Sequence, residues 1–461
     1  MEALVVIAGI VGLVWGGVVL LRGGLIAGCL AVLLAGTCFS LPFFKLELGP
    51  LPLSADRALL VLLVVQYVFW RRWGYADPKP IGKPEILLIA LLAVLVVSTF
   101  THDWRALDTE KPYQPVSCLI VFFLMPAVLY WIARQAKITE REVLIVFAAF
   151  ALFGVYLAVT SLAEYFEASW LVFPKYIVTS ATEKTAWYVG RGRGPLLNPI
   201  GNGVLLAVCL GSALLWWPRL RRPGQLMLLA ATLLFVAAIY CSLTRSVWIG
   251  GIVTLALVAG LVLPWCWRGP LLVGGLLVAV AVGVTQWDNI LAFKRDKGLS
   301  AAETAGSAKI RPILTLIAWD MFLDRPLFGC GYVQYKTESR NYTSDRSTDF
   351  PLELGRDYTP HNVALSLLTE TGLVGLGLFA AMLFLWTRDA WRLWRDAALP
   401  LWARQQGLLF LIALGVYLAN GMFHDVSVMN MMNMSLFFLA GITAALRPLI
   451  AQPSPLPLGE G

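Results

Sequence analysis

Thirteen runs of apolar residues, most of them long enough to cross a lipid bilayer, follow one another along this chain, and one long polar interval interrupts them. The runs lie near 3–20, 24–41, 57–70, 85–101, 116–133, 143–163, 200–217, 225–243, 247–265, 271–286, 362–386, 407–423 and 427–446. Only helices and closed barrels satisfy every backbone polar group inside hydrocarbon, and a helix needs about 20 residues to cross it. The composition agrees: 59% of the 461 residues are hydrophobic and 14% charged, with a mean hydropathy of +0.74. A soluble globular chain is far more polar. The run at 57–70 is short, and only Leu21-Arg22-Gly23 separates the first two. The expected fold is therefore an all-α polytopic membrane protein with about 12 transmembrane helices, within a range of roughly 11 to 13. The first run lacks a basic leader and a small-residue cleavage site, so it is expected to be a retained span.

Charge sets the expected orientation. The net charge of +8 resides largely in short loops beside apolar runs, so it does not make a nucleic-acid patch. Basic clusters occupy alternate loops: Arg71, Arg72, Lys79 and Lys83; Arg134, Lys137 and Arg141; Arg219, Arg221 and Arg222; Arg388, Arg392, Arg395 and Arg404. Those loops are expected in the cytoplasm. The outer set is then 102–115, 164–199, the turn near Arg245, and 286–361. The resulting division has N-terminal transmembrane helices over 1–285, with a medium outer loop at 164–199. A large outer loop with helices follows over 286–361, then C-terminal transmembrane helices over 362–446 and a cytoplasmic tail over 447–461. Seven scattered cysteines with no Cys-x-x-Cys pair support neither a disulfide framework nor a zinc site.

The polar interval 286–361 is where function is expected, because the apolar spans are already accounted for by lipid. Within it, Ile310, Leu314, Ile317 and Met321 are spaced for a helix over Ala301–Leu323. Pro312 either kinks that helix or marks its first turn, and Asp324-Arg325-Pro326 stops it. Phe328-Gly329-Cys330-Gly331-Tyr332 reads as a turn, and 336–358 as irregular and mobile. Thr359 and Pro360 suit a helix start, which would put His361 in a first helical turn. There the positive end of the helix dipole would keep the imidazole neutral, as a general base requires.

Arginines form the second group of candidates. Arg191 and Arg193 lie in Gly190-Arg191-Gly192-Arg193-Gly194, and one of the two need point at a site. Arg245 interrupts a long apolar stretch, where an ionisable group is costly. Arg311 lies on the loop helix. Each has an ordinary alternative, such as snorkelling or a solvated face. Together they suit a phosphate or pyrophosphate, because guanidinium stays charged and binds oxygen pairs bidentately. Glu370, within the next span, is expected to be structural. His424-Asp425 ranks below His361, since no polar segment accompanies it in sequence. The outer loops lack paired carboxylates and the chain lacks a nucleotide fingerprint, so no metal and no cofactor are expected.

The string Arg311, Trp319, Pro326, Gly329-x-Gly331, then His361-Asn362-x-x-Leu365-x-x-Leu368-x-Glu370-x-Gly372-x-x-Gly375, with Thr244-Arg245-Ser246 earlier, resembles the O-antigen ligase/polymerase superfamily of bacterial inner-membrane proteins. Thr244 and Ser246 depart from the commoner Ser-Arg-Gly form. The resemblance covers roughly 180–440. It implies a multi-pass glycosyltransferase with a periplasmic active site and a glycan donor on undecaprenyl pyrophosphate. For a ligase it implies a lipid A–core acceptor, in lipopolysaccharide biosynthesis. It further implies Arg191, Arg245 and Arg311, with Arg193 as a weaker candidate, on the pyrophosphate. His361 would be the base, with Asn362 and Glu370 in support. The alternatives are an O-antigen polymerase, a protein O-oligosaccharyltransferase, or a lipid-linked-glycan flippase.

Overall fold

A computed structural model describes residues 23–39, 41–46, 52–104, 114–180, 188–285, 301–344, 350–356 and 358–451. The first apolar run, residues 286–300, part of the stretch expected to be mobile, and the end of the tail lie outside the described residues. What is described is helical, with no named strand and one isolated bridge between Leu46 and Leu53. Thirteen helices are used below: α1 (Gly23–Cys38), α2 (Ala55–Arg72), α3 (Lys83–Phe100), α4 (Pro115–Arg134), α5 (Glu140–Tyr165), α6 (Pro199–Leu214), α7 (Arg222–Cys241), α8 (Arg245–Val262), α9 (Trp265–Thr285), α10 (Ala301–Asp324), α11 (Val363–Arg395), α12 (Leu401–Gly421) and α13 (Asn430–Ala445).

Among the described residues, eight helices are long and apolar enough to cross a membrane: α3, α4, α5, the α6 segment extended to Arg219, α7, α8, α11 and α12. Helices α1 and α13 are apolar but shorter. Helix α2 carries Asp56, Arg57, Arg71 and Arg72 within its length, as its short apolar run requires. The described residues are thus helical and polytopic, with eight plain spans among them.

Helix α6 is the central post, with every residue from Pro199 to Ala213 buried. Its Gly203 and Gly211 admit Val247 of α8 and Ile412 of α12 into near contact. Small residues of this kind let helices approach where lipid offers no hydrophobic drive for association. Helix α13 packs along α4, and α11 packs on α3 and α12.

Loops carrying the basic clusters meet one another at one end of the bundle. Lys79 Nζ donates to the Arg134 carbonyl, Arg219 donates to Gln405, and Gln405 Nε2 donates to the Leu215 carbonyl at 2.8 Å. Buried Glu85 there faces Arg134 at 3.1 Å and Arg447 at 2.9 Å, and Arg447 also reaches Asp389 at 2.6 Å. The remaining loops meet at the opposite end, where Arg191 of one loop reaches the 242–244 turn and Gln334 donates to the Asp103 carbonyl.

The polar interval is built on a break in α11. Gly372 has φ 64° and ψ −165°, a region open essentially to glycine alone, and divides α11 into two helical pieces. A break frees backbone groups that hydrocarbon cannot satisfy. The turn after α10 satisfies them: Cys330 N–H donates to Thr369 O at 2.8 Å and Gly331 N–H to Glu370 O at 3.1 Å. Leu373 N–H in turn donates to Pro326 O at 2.9 Å. A Cβ on Gly372 would lie 2.3 Å from the Leu327 carbonyl, and one on Gly329 would lie 2.5 Å from Thr369 O. Gly329-x-Gly331 and Glu370-x-Gly372 are therefore two halves of one backbone joint. Buried Glu370 sits at that joint. His102 belongs to it as well, its ring packed where a side chain on Gly331 would be.

Candidate active site

The end of the bundle that bears the polar interval has an open cleft of about 340 Å³ lined by Arg311, Tyr358, Thr359, His361, His424 and Asp425, with Tyr188 and Asn198 on the facing wall. Three separate segments thus converge: the end of the polar interval, helix α10, and the turn between α12 and α13.

His361 does not lie in the first turn of α11. It precedes the helix with φ 50°, and Asn362 is the N-cap, its Oδ1 accepting from Leu365 N–H at 3.0 Å. The Asn362 side chain is better suited to capping than Thr359, because its oxygen reaches the third helical N–H from this position. Leu197 and Leu243 show the same left-handed backbone just before the N-caps Asn198 and Thr244. Each bend turns the chain sharply into a helix at this end of the bundle. At His361 the bend aims the ring toward Tyr358 and His424, whose ring centroids are 6.3 and 6.4 Å away.

Two further contacts bring the segments together. Asn362 Nδ2 donates to the Met422 carbonyl at 3.1 Å, tying the start of α11 to the end of α12. The Arg311 guanidinium lies 5.5 Å from the Phe423 ring centroid, tying α10 to the same turn. Pro312 sits inside α10, so it does not mark that helix's first turn.

The electrostatics of His361 differ in origin from a helix-dipole effect. Burial is the main cause that lowers its pKa below the ordinary 6.5; the Arg311 cation lowers it further, and Asp425 opposes both. The imidazole is therefore neutral at neutral pH, with a free nitrogen able to accept a proton. Asp425 is held by Ser427, whose N–H and Oγ both donate to its Oδ1.

The other arginines stand away from the cleft lining. Arg191 is buried; its Nε donates to Ser242 O at 3.1 Å and its Nη2 to Thr244 Oγ1 at 2.5 Å. Its guanidinium also lies 5.1 Å from the ring of cleft-lining Tyr188. A chain of contacts so runs from the cleft wall through Arg191 to the turn that starts α8 at Arg245. Arg193 is buried against Glu164, Nε to Oε1 at 3.1 Å, and donates to Ile177 O at 2.7 Å. Its charge is answered inside the protein. Sequence order hid one participant: His424-Asp425 lacks polar neighbours along the chain, yet folding supplies them from 358–361.

No group of three or more His, Cys, Asp or Glu that could hold a metal ion occurs among the described residues. Residues 229–380 match the family model described as O-antigen ligase. That segment includes Arg245, Arg311, His361, Asn362 and Glu370. No curated protein matches the chain.

Proposed function

We propose that this membrane protein, whose residues 229–380 match the family model described as O-antigen ligase, acts as a member of that superfamily and transfers a glycan from undecaprenyl pyrophosphate to a sugar hydroxyl of lipid A–core. The observation that carries this reading is the presence of a neutral, half-buried His361 and the Arg311 cation in one open cleft. His361 takes the proton of the acceptor hydroxyl as its oxygen attacks the anomeric carbon of the donor. The bond from that carbon to the pyrophosphate oxygen breaks, and the electron pair leaves with undecaprenyl pyrophosphate. Arg311, with Arg245 and Arg191 behind the Tyr188 wall, offsets the developing charge; Arg193, paired with Glu164, holds the loop that carries Arg191 in place. Positioned charge of this kind can replace a general acid when the leaving group is a pyrophosphate. One base favours a single displacement with inversion at the anomeric carbon, with the cleft carboxylate of Asp425 engaged by Ser427 rather than offered as a nucleophile.

On this reading the chain crosses the inner membrane about 12 times. The domain division is 1–285, 286–361 and 362–446 with the 447–461 tail in the cytoplasm, and the cleft faces the periplasm. The basic loops gathered at the opposite end support that orientation. A ligase is preferred to a polymerase or a protein-glycosylating enzyme on grounds of space. Among the described residues, the 286–361 segment supplies one helix-sized cover, α10, and no second large outer unit that would recognise a folded protein. Reconstitution of purified protein with the lipid-linked glycan and lipid A–core tests the reading. It should yield glycosylated lipid A–core without added metal. Deletion of the gene should leave polymerised glycan on undecaprenyl pyrophosphate and bare lipid A–core. Single repeat units attached to lipid A–core in that strain would make the protein a polymerase instead.

A further inference from the structure

A second cleft, of about 300 Å³, adjoins the first: Asn198 and Met429 line both. Its far wall carries Asp56 and Arg57 at the start of α2, and its floor carries Phe122, Met432 and Asn430. Asp56 and Arg57 are 4% and 7% exposed, so a charge of each sign is buried against this space. Asp56 accepts from Ser54 Oγ and, at 3.3 Å, from Asn430 Nδ2; Arg57 donates to the Pro52 carbonyl. The Asn430 amide oxygen is buried and accepts no hydrogen bond from the described residues.

The chemistry of this lining selects among the groups that a reaction in the first cleft must accommodate. A pyrophosphate needs net positive charge, whereas Asp56 balances Arg57 here, and it also answers the positive start of α2. An isoprenoid chain would shield the buried Asn430 oxygen from water without giving it a hydrogen bond, which is costly. A sugar ring offers hydroxyl donors and acceptors on its edge and C–H groups on its face. The edge suits Asp56, Arg57 and Asn430; the face suits Phe122 and the methionines, whose flexible side chains adapt to irregular shapes.

We infer that the Asp56–Arg57–Asn430 cleft is a glycosyl subsite, holding an uncharged sugar ring beside the cleft that contains His361. The inference rests on the transfer reading for which substrate supplies the ring, but sugar binding itself can be measured without turnover. Asn430→Ala removes one polar partner. Gly201→Val fills the cleft from α6, where the atoms nearest an added Cβ are the flexible end of Leu196 at 3.1 Å and the side chains of Met429 and Met432 at 3.9 Å.

Saturation-transfer NMR on protein in lipid nanodiscs, with free glucose and galactose as probes, reads occupancy directly. Wild type and His361→Ala should both transfer saturation to at least one sugar, and Gly201→Val should lose it. No transfer with wild type, or equal transfer with Gly201→Val, would overturn the subsite. Steady-state kinetics of Asn430→Ala then identify the source. A roughly tenfold rise in KM for lipid A–core alone makes the ring the acceptor's; the same rise for the lipid-linked glycan alone makes it the donor's. In either case the acid limb of the pH profile, set by His361, should stay in place. A fall in kcat with both KM values unchanged would reduce Asn430 to a structural role and overturn the proposal. If His361→Ala binds sugar and still transfers glycan normally, the subsite stands and the assignment of the base fails.

Discussion

At the scale of single residues, the proposed function makes His361 a tunable base. Arg311 lowers its pKa and Asp425 raises it. A base is active when unprotonated, so transfer should fall as the pH drops through the folded-state pKa, which lies below 6.5. Arg311→Gln removes a lowering influence and should move the acid limb of kcat to higher pH. Asp425→Asn removes a raising influence and should move it to lower pH. Profiles of both variants on either side of the wild type check the assignment; shifts in the same direction would contradict it. Lysine at Arg311 keeps the charge but loses the fork, and a lost hydrogen bond to a charged group costs about 1.5–3 kcal/mol. Transfer by Arg311→Lys should therefore drop about tenfold or more. Arg191→Lys should also fall, because a point-like ammonium does not reproduce the planar fork whose Nε and Nη2 reach Ser242 and Thr244 separately. Unchanged rates in both lysine variants would remove these arginines from the account. His361, Arg311 and Asn362 could be singled out from the string that holds them. The placement of His361 in a helix could not, because Thr359 and Asn362 are both acceptable caps and only the folded backbone selects between them. The inward use of Arg193 depends on Glu164, which lies in another run and gives no local sign of the pairing.

At the scale of elements, the apolar runs predicted helix positions well, because length and hydropathy are dictated by the bilayer. The break at Gly372 was invisible as a break: Glu370-Thr371-Gly372 lies within a run that is apolar on both sides. Its meaning emerges only with Pro326–Gly331 docked against it. Gly372→Ala should be a sharp test of this joint. Alanine normally favours a helix interior over glycine by about 1 kcal/mol. Here φ 64° and a backbone carbonyl 2.3 Å from the added Cβ reverse the sign. The φ/ψ strain alone is of order 1–3 kcal/mol. Thermal unfolding in detergent should show a lower Tm and transfer should be lost. A stabilised, active Gly372→Ala protein would mean that α11 runs unbroken.

At the scale of the whole molecule, the loops sort into two sets that meet at opposite ends of the bundle. On the proposed reading, charge bias orients the set with His361 outward. Exposed Glu353, in the polar interval, and exposed Cys266, at the start of α9, lie on opposite sides in this arrangement. Glu353→Cys in a Cys266→Ser background should react with an impermeant maleimide in intact spheroplasts. Native Cys266 should react only after lysis. The reverse pattern would invert the protein and put the cleft in the cytoplasm. The joining of 358–361 with 424–425 also belongs to this scale. It follows from how α11, α12 and α13 pack, which no local pattern announces.

The central claim is that His361 deprotonates an acceptor in a glycan transfer. The most direct measurement is single-turnover transfer from glycan-loaded undecaprenyl pyrophosphate to lipid A–core, comparing purified wild type with His361→Ala. A positioned general base typically contributes about 10²–10⁴-fold. The variant should remain folded in the membrane and lose at least about 100-fold in rate. A folded His361→Ala protein that transfers glycan at the wild-type rate would contradict the account.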